Sequence, residues 1–481
     1  MGISLNPASL LSGQGLDVST VVSELMNQKS GQLTEWQNEQ TTLQLQAGLL
    51  NAINGHLSSL ADAVTALSDP LGALAAQTAT SSDSGIVTGT AATSAPAGAH
   101  TVVVNTLATS GLIYADAVSG GANVSILPAG QNSGDLKIQI GGASGTSADI
   151  QITAGSNDTL STLAASINSQ SAGNNWGITA SVVTDADGAR LSIVSQETGT
   201  PGSLAIVNNT TSLKFSDPAG GTNASVTIDG TPYRYTTNTI PAGAISGVTL
   251  NLEGASPNMP VQITVGPDVQ RATTAINTFV SAYNQVINDI NQQYAVDPAT
   301  DSEGPLAPDS ALRSLQSSLM QDITYSIAGN SGLVNLAALG VNMNNDGTLT
   351  VGTNAAGQTM SQVLTSNSAA FQNFFQNATS TGFANNFHSD LINLTDPTLG
   401  LLNVDLKQNK SGQQTLADNI NNFERQLSDQ QKQLTAEFSQ VNASLQSYPL
   451  LLQQVTETLA TMGMGNSSSG TSQHPTLTSG L

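Results

Sequence analysis

Residues 420–462 read INNFERQLSDQQKQLTAEFSQVNASLQSYPLLLQQVTETLATM, and this stretch decides the fold. Its apolar residues recur at steps of three and four, without a miss from Phe438 to Met462. Such spacing is that of a coiled-coil seam, a narrow stripe that faces a partner helix. A fully helical stretch of this length would be roughly 65 Å long at 1.5 Å per residue. Because such a helix cannot bury its seam against itself, the pattern predicts a partner helix.

A second seam near the start of the chain matches the first. The same steps run from Leu43 to Leu67, and a weaker helical pattern covers Leu25 to Trp36. Two terminal helices with matching seams predict a chain that leaves a helical stem, builds domains and returns beside its own start. Pro449 lies inside the later seam and removes a backbone hydrogen bond, so we expect a bend there and no change of partner.

The composition limits the classes of function. The net charge is −22, from 33 acidic and 11 basic residues, and the basic residues are scattered. Because phosphate contacts need grouped Lys and Arg, the sequence argues against binding to nucleic acid or to anionic lipid. The sequence contains no run of 18 apolar residues, so no membrane-spanning helix is predicted. The first 15 residues lack the pattern of a cleaved signal peptide. The absence of cysteine excludes disulfides and thiolate metal sites.

Between the two seams the apolar period changes from helical to alternating. Short strands separated by Gly and Ser clusters are predicted between residues 86 and 265, among them Val124 to Leu127. One helix, Leu160 to Ser169, interrupts them, and the segment 185–188 (DADG) predicts a hairpin turn. Helical periodicity returns after Pro267 and includes a segment from Met360 to Phe375.

These patterns predict an α+β multidomain fold. Its N- and C-terminal helices pair as a coiled-coil stem, beside a helical-bundle domain, with two β-rich outer domains inserted between them. The expected divisions are 1–42 with 435–481 for the stem, whose ends we expect to be disordered, 43–78 with 268–434 for the helical domain, 79–119 with 223–267 for the inner β domain, and 120–222 for the outer β domain.

No motif for catalysis or cofactor binding stands out. The acidic turn at Asp185 lacks the later calcium ligands, and the four histidines are dispersed. Nucleophile elbows, phosphate-binding loops and dinucleotide fingerprints are missing. A glycosidase-like pair of distant carboxylates stays open at this point, although two tryptophans are few for a carbohydrate-cleaving groove. We expect a protein that is not an enzyme and that binds no cofactor and no metal.

The terminal helices are the candidate interaction sites. Ordinary helical core is the simpler interpretation of an apolar seam, and it suffices for Leu43 to Leu67. The terminal segments, by contrast, carry almost no charge to keep copies of the chain apart, so we expect intermolecular contacts there. The residues expected to mediate self-assembly and partner binding through these helical legs are Leu16, Val21, Val22, Leu25, Met26, Leu445, Leu452, Val455, Leu459 and Met462.

Several short segments, taken in order, carry a resemblance to a known family. They are Gly15 to Ser19, Pro96 to Val102, the stretch 159–191, Gly247 to Leu252, and Phe279 to Asn284. Together they resemble the flagellar filament cap proteins, also called hook-associated protein 2 or FliD. The stretch 159–191 is similar to the repeat in outer domains of flagellin and hook-associated proteins. No single segment is specific, but the ordered set spans nearly the whole chain.

The resemblance implies a non-catalytic assembly factor at the extracellular tip of the bacterial flagellum. Such a protein forms a ring-like homo-oligomer, expected to be a pentamer, and leaves the cell through the flagellar type III apparatus without a cleaved signal peptide. The implied partners are flagellin, whose folding and insertion it promotes, neighbouring hook-associated proteins and an export chaperone. Two alternatives stay open: an adhesin whose outer β domain binds host mucus or glycans, and another hook–filament junction protein.

Overall fold

The computed structural model describes residues 17–216, 219–299, 301–377 and 381–463, with the side chains of residues 462 and 463 excepted. The described part of the chain forms nine α-helices and sixteen β-strands. The helices are α1 (Val18–Lys29), α2 (Gly31–Ser68), α3 (Leu160–Asn174), α4 (Val269–Tyr294), α5 (Ser310–Ile323), α6 (Met360–Ser366), α7 (Ser368–Phe375), α8 (Phe383–Thr395) and α9 (Leu401–Gly463).

The strands lie in two groups with a short hairpin after them. They are β1 (Gln77–Ser81), β2 (Val87–Ala91), β3 (Gly98–Thr106), β4 (Ser110–Tyr114), β5 (Ser133–Ile140), β6 (Thr146–Thr153), β7 (Ile178–Asp185), β8 (Gly188–Thr198), β9 (Leu204–Asn209), β10 (Ala224–Ile228), β11 (Thr231–Tyr235), β12 (Thr239–Ile245), β13 (Val248–Leu252), β14 (Val261–Pro267), β15 (Val341–Met343) and β16 (Leu349–Val351). The fold is α+β and multidomain, as predicted.

The chain divides into two compact units. Described residues up to 58, those in 286–318 and those from 391 onward form the first, here called the stem unit. Those in 59–285 and 319–390 form the second, here called the mixed unit because it holds all the described strands together with helices. The finer division into four domains stays a prediction.

The stem unit is built from long helices. The Asp17 carboxylate accepts hydrogen bonds from the amides of Ser19 and Thr20, at 3.1 and 3.3 Å, and so caps the first turn of α1. Helix α9 is 63 residues long and continues through Pro449, so the proline does not end the helix.

One β core of the mixed unit lies between two antiparallel sheets. The larger sheet has the order β1-β14-β3-β10-β11, and the smaller has the order β12-β13-β2. Strand β14 alternates buried and exposed side chains, as expected for a strand with one face on a core. Buried residues from both sheets, among them Val102, Val226 and Leu250, belong to one apolar cluster.

The other β core contains two three-stranded sheets, β4-β8-β7 and β6-β5-β9, together with α3. The predicted turn after Asp185 is confirmed, since Asp185 pairs with Gly188 at the end of the β7–β8 hairpin. The prediction of a strand at Val124 to Leu127 is wrong, because only Ser125 forms a bridge there. Residues Ile113 and Ala115, which we expected in the inner β domain, contribute to this core.

Aromatic rings fill the helical part of the mixed unit. The Phe279 ring on α4 meets Phe383 and Phe387 of α8 edge-on, with ring centroids 5.7 and 6.0 Å apart. The segment from Met360 to Phe375 is helical, as predicted, and it is divided into two helices. The physical reason for this division is Asn367, which ends α6 in a non-helical conformation and accepts a hydrogen bond from the amide of Ala370 to start α7.

Candidate self-assembly surface of the terminal helices

Three contacts fix how the first helices lie against the last one. The Lys29 ammonium donates to the Gln430 side-chain oxygen at 3.0 Å. One turn into α2, the Trp36 ring meets Phe423 edge-on at 5.4 Å. Further along, the Gln413 amide donates to the carbonyl of Leu43 at 3.3 Å. The residue numbers on α9 fall as those on α1 and α2 rise, so the first helices are antiparallel to α9.

The same register continues toward the middle of α2. The Asn409 amide lies 3.5 Å from the Gln46 side-chain oxygen, and the Asn54 amide donates to Asn403 at 3.3 Å. Ile53 and Leu57, from the earlier seam, are fully buried, as expected for helical core. The register also places residues 413–434 alongside the first helices, so the pairing begins well before residue 435.

Helix α9 extends beyond the level at which α1 begins. The register of Lys29 and Trp36 places Val18 level with Val441. The remaining 442–463 part of α9, here called the distal segment, is roughly 33 Å long. Its only formally charged residue is Glu457. A helix that is apolar on one face and almost uncharged on the others needs a partner along that face.

Large apolar side chains of the distal segment are exposed. Leu452 and Leu459 are each 62 % exposed and Val455 is 52 % exposed. At 100° per residue these three lie on one face, and Leu451 widens that face on one side. We call this face, with Val441, Leu445 and Tyr448 above it, the apolar stripe. An open groove of about 610 Å³ runs along it from Glu437 to Tyr448.

The residues predicted as interaction sites fall into two classes. Val21 and Val22 of α1 are buried, at 9 and 2 % exposure, and Leu25 and Met26 are half-buried. On α9, Leu445 is half-buried, whereas the side chains at 452, 455 and 459 are exposed. Leu16 and the side chain of Met462 lie outside the described residues, as do the two chain ends that we expected to be disordered. Among the predicted residues that the structure describes, those at 452, 455 and 459 of α9 therefore offer the accessible apolar surface.

Sequence reasoning missed part of that surface. Tyr448 and Leu451 are 65 and 55 % exposed, but neither was among the predicted site residues. The signal was present in the run Leu450-Leu451-Leu452, since three successive leucines on a helix cannot all belong to a narrow seam. Leu450 points to the opposite face by the same 100° rule and is also exposed.

The described residues offer little else for chemistry. Among them, no three His, Asp or Glu side chains come close enough together to hold a metal ion. Within the same ranges, no helix combines the length and the apolar character that crossing a membrane requires. The described residues therefore define a class of protein with long paired terminal helices, β-rich domains inserted between them in the chain, and an exposed apolar helix face.

Family models match both ends of the chain. The model of the N-terminus of flagellar hook-associated protein 2 matches residues 14–111, and the model of its C-terminus matches residues 221–448. The flagellin hook IN motif matches residues 135–197, which lie in the core that contains α3. The two terminal models together cover more than half of the chain and both sides of the stem. The chain belongs to the flagellar hook-associated protein 2 family, also called FliD.

Individual relatives agree with this assignment. The B-type flagellar hook-associated protein 2 of Pseudomonas aeruginosa is 28 % identical over 367 residues, which are 70 % of this chain and 74 % of that protein. The flagellar hook-associated protein 2 of Escherichia coli K12 is 24 % identical over 356 residues, 69 % of this chain and 73 % of that protein. The solved D1-D2-D3 domains of the E. coli flagellar cap protein FliD share the fold, with a TM-score of 0.55 and 24 % identity over 75 % of this chain and 99 % of theirs.

Proposed function

We propose that this protein caps the distal end of the flagellar filament and promotes the folding and insertion of exported flagellin. The observation that carries the proposal is the apolar stripe, on a chain that belongs to the hook-associated protein 2 family. A capping protein has to hold other polypeptides by surface contact and needs no catalytic group. We therefore propose that it is not an enzyme.

The stripe suits contact with another helix of low charge. Each exposed leucine that becomes covered contributes about 1–2 kcal/mol by removal of apolar surface from water. The single carboxylate in the distal segment adds little repulsion between copies of the chain. We propose that the distal segment, together with α1 and residue 16, forms the legs of a ring-like homo-oligomer, expected to be a pentamer.

The remaining assignments follow from the same proposal. The protein acts outside the cell at the flagellar tip and is exported by the flagellar type III apparatus. Its partners are flagellin, neighbouring hook-associated proteins and an export chaperone. The scattered basic residues and the net charge of −22 support the proposal that it binds no nucleic acid and does not insert into membranes.

A labelling experiment tests the proposal. A strain that lacks its own copy is complemented with the full chain and with a variant in which Leu452, Val455 and Leu459 are replaced by Gln. Immunogold labelling should place the full chain at filament tips and restore filament growth, whereas the variant should do neither at equal export. A matched variant with Gln446→Ser and Gln453→Ser, on the other faces of the helix, should behave as the parent.

The same labelling separates the alternatives. Gold at the filament base or along its side would favour another junction protein over a cap. Binding of the full chain to immobilised mucin, with tip labelling absent, would favour an adhesin. Filaments that grow normally with the Leu452, Val455 and Leu459 variant would remove the stripe from the proposed mechanism.

A further inference from the structure

The two β cores of the mixed unit meet where the chain passes between them. The first β core holds the sheets β1-β14-β3-β10-β11 and β12-β13-β2, and the second β core holds β4-β8-β7 and β6-β5-β9 with α3. In chain order the strands change core twice, between β3 and β4 and again between β9 and β10. Flexible connections at these two crossings would let the cores turn relative to each other, as domains joined by linkers usually do.

At the first crossing, two consecutive residues are each held by a different core. The Ala108 amide donates at 2.7 Å to the Oδ1 of Asn238, which lies between β11 and β12 of the first core. The Asn238 Nδ2 donates back to the Ala108 carbonyl at 3.0 Å. The carbonyl of the next residue, Thr109, accepts a hydrogen bond at 3.0 Å from the amide of Gly199, which follows β8 of the second core. No residue separates these two anchors, so this crossing has no linker.

The second crossing has the same arrangement. The Asn223 Oδ1 accepts a hydrogen bond at 2.8 Å from the amide of Thr200, in the second core. The next residue, Ala224, begins β10 and is fully buried in the first core. The two crossings also hold each other, since the Thr109 amide donates to the Thr222 carbonyl at 2.9 Å. Neighbouring residues are therefore fixed by opposite cores here as well.

The loop at the end of β8 joins the cores directly. The Thr198 hydroxyl donates at 2.7 Å to the carbonyl of Thr236, which follows β11 of the first core. Gly199 is buried and has a φ of +69°. A Cβ added to it would lie 2.6 Å from both the Asn223 Oδ1 and the Thr236 carbonyl oxygen. Since only glycine fits this space and this backbone angle, the second core is wedged against two separate segments of the first.

We propose that these contacts lock the two β cores into one rigid body. We call residues 108–109, 198–200, 222–224, 236 and 238 together the joint. A hinge needs a few residues whose backbone angles are free to change, whereas both crossings place adjacent residues under the control of opposite cores. A load or a binding event on the second core therefore moves the first core with it. This property does not depend on the capping function.

Distance measurements between spin labels test the lock in the full chain. Because the sequence contains no cysteine, Ala165→Cys on α3 and Arg234→Cys on β11 provide one exposed attachment point in each core. Double electron–electron resonance should give one narrow distance distribution, whose width comes from rotation of the labels. In Gly199→Ala, where the added Cβ has to push the cores apart, the distribution should broaden by at least about twofold. A broad or two-peaked distribution in the labelled chain without further substitution would overturn the proposal.

Two asparagines of the joint supply a sharper comparison. Asn223→Ala removes the acceptor of the Thr200 amide and should broaden the distribution, whereas Asn223→Asp keeps an acceptor and should match the unsubstituted chain. Asn238→Asp should broaden the distribution, because a carboxylate cannot donate to the Ala108 carbonyl. Amide exchange in β5 and β13, one strand from each core, should stay unchanged in all three variants, since the joint lies outside both strands. Distributions that are the same for Asn223→Ala and Asn223→Asp would overturn the proposal, as would an unchanged distribution in Asn238→Asp.

Discussion

Substitutions in the apolar stripe should weaken self-assembly while leaving the stability of the folded chain nearly unchanged. Leu452, Val455 and Leu459 are more than half exposed, so replacing all three by Gln removes few contacts within the chain. Substitutions at such exposed positions usually change the free energy of unfolding by no more than about 0.5 kcal/mol each. If an assembly covers these side chains, each contributes about 1 kcal/mol from the area still to be buried. The three together contribute about 3 kcal/mol per contact, which is about a hundredfold in the dissociation constant.

Sedimentation velocity over a hundredfold range of protein concentration measures this effect. The triple variant should need about a hundredfold higher concentration to reach the same oligomer fraction. Its helical circular dichroism and thermal unfolding should match the parent. The Gln446→Ser and Gln453→Ser chain controls for any change to the helix itself and should assemble normally. An unchanged oligomer distribution in the triple variant, with the fold intact, would refute the assignment of the stripe to self-assembly.

Three further changes test the packing. Trp36→Ala removes the ring contact with Phe423 at 5.4 Å and should destabilise the stem by about 2 kcal/mol, seen as earlier loss of helical circular dichroism on heating; unchanged melting would contradict the register. Phe383→Ala empties a fully buried position and should lower the free energy of unfolding by about 3–5 kcal/mol in urea, whereas a loss below 1 kcal/mol would mean that the aromatic cluster repacks. Pro449→Ala removes a helix penalty of about 3 kcal/mol and should slow amide exchange around the distal segment without altering exchange in the mixed unit; faster exchange would contradict this reasoning.

The paired terminal helices could be predicted from the sequence because apolar spacing reports the helical face directly. The register could not, since several offsets of a three-and-four pattern align apolar residues equally well. Polar contacts such as Lys29 with Gln430 select one offset, and such contacts leave no periodic signal. The start of α9 at Leu401, ahead of the apolar seam that begins at Ile420, has a related cause. Residues such as Asn409 and Gln413 in that region face α2 through amide groups, so the apolar pattern is weak there.

The β region shows where local propensity fails. Val124 to Leu127 has the composition of a strand, but the Ile126 amide donates to the carbonyl of Asp158 and the segment gains only a single bridge. Conversely, β4 contains Gly111, and adding a Cβ there would bring it 2.2 Å from the carbonyl of Gly202. Glycine weakens the composition signal of a strand, but at this position it is needed for close backbone packing. Tertiary contacts decide whether each of these two segments forms a strand, and composition does not reveal such contacts.

The sequence predicted only part of the interaction site, because exposure depends on tertiary contacts that an apolar pattern does not reveal. The sequence pattern is the same for both terminal seams, whereas the structure buries Val21 and Val22 and leaves the side chains at 452, 455 and 459 exposed. Helix residues after the Asp17 cap, such as Val22, lie beside α9 and are buried. The distal segment lies past the described part of that pairing, and its leucines are exposed. Whether an apolar side chain of α9 is exposed depends on where its partner helix α1 begins. The apolar periodicity of the sequence does not give that position.

The antiparallel stem has a consequence for the order in which the protein is made. Lys29 and Gln430, which meet across it, are 401 residues apart. Closing an unfolded loop of that length costs about 5 kcal/mol of entropy, and most of this is avoided if the intervening cores form first. During translation, however, Val21 and Val22 emerge long before any residue of α9 exists to cover them. Over that interval these two valines lack the α9 surface beside which they are buried in the folded chain.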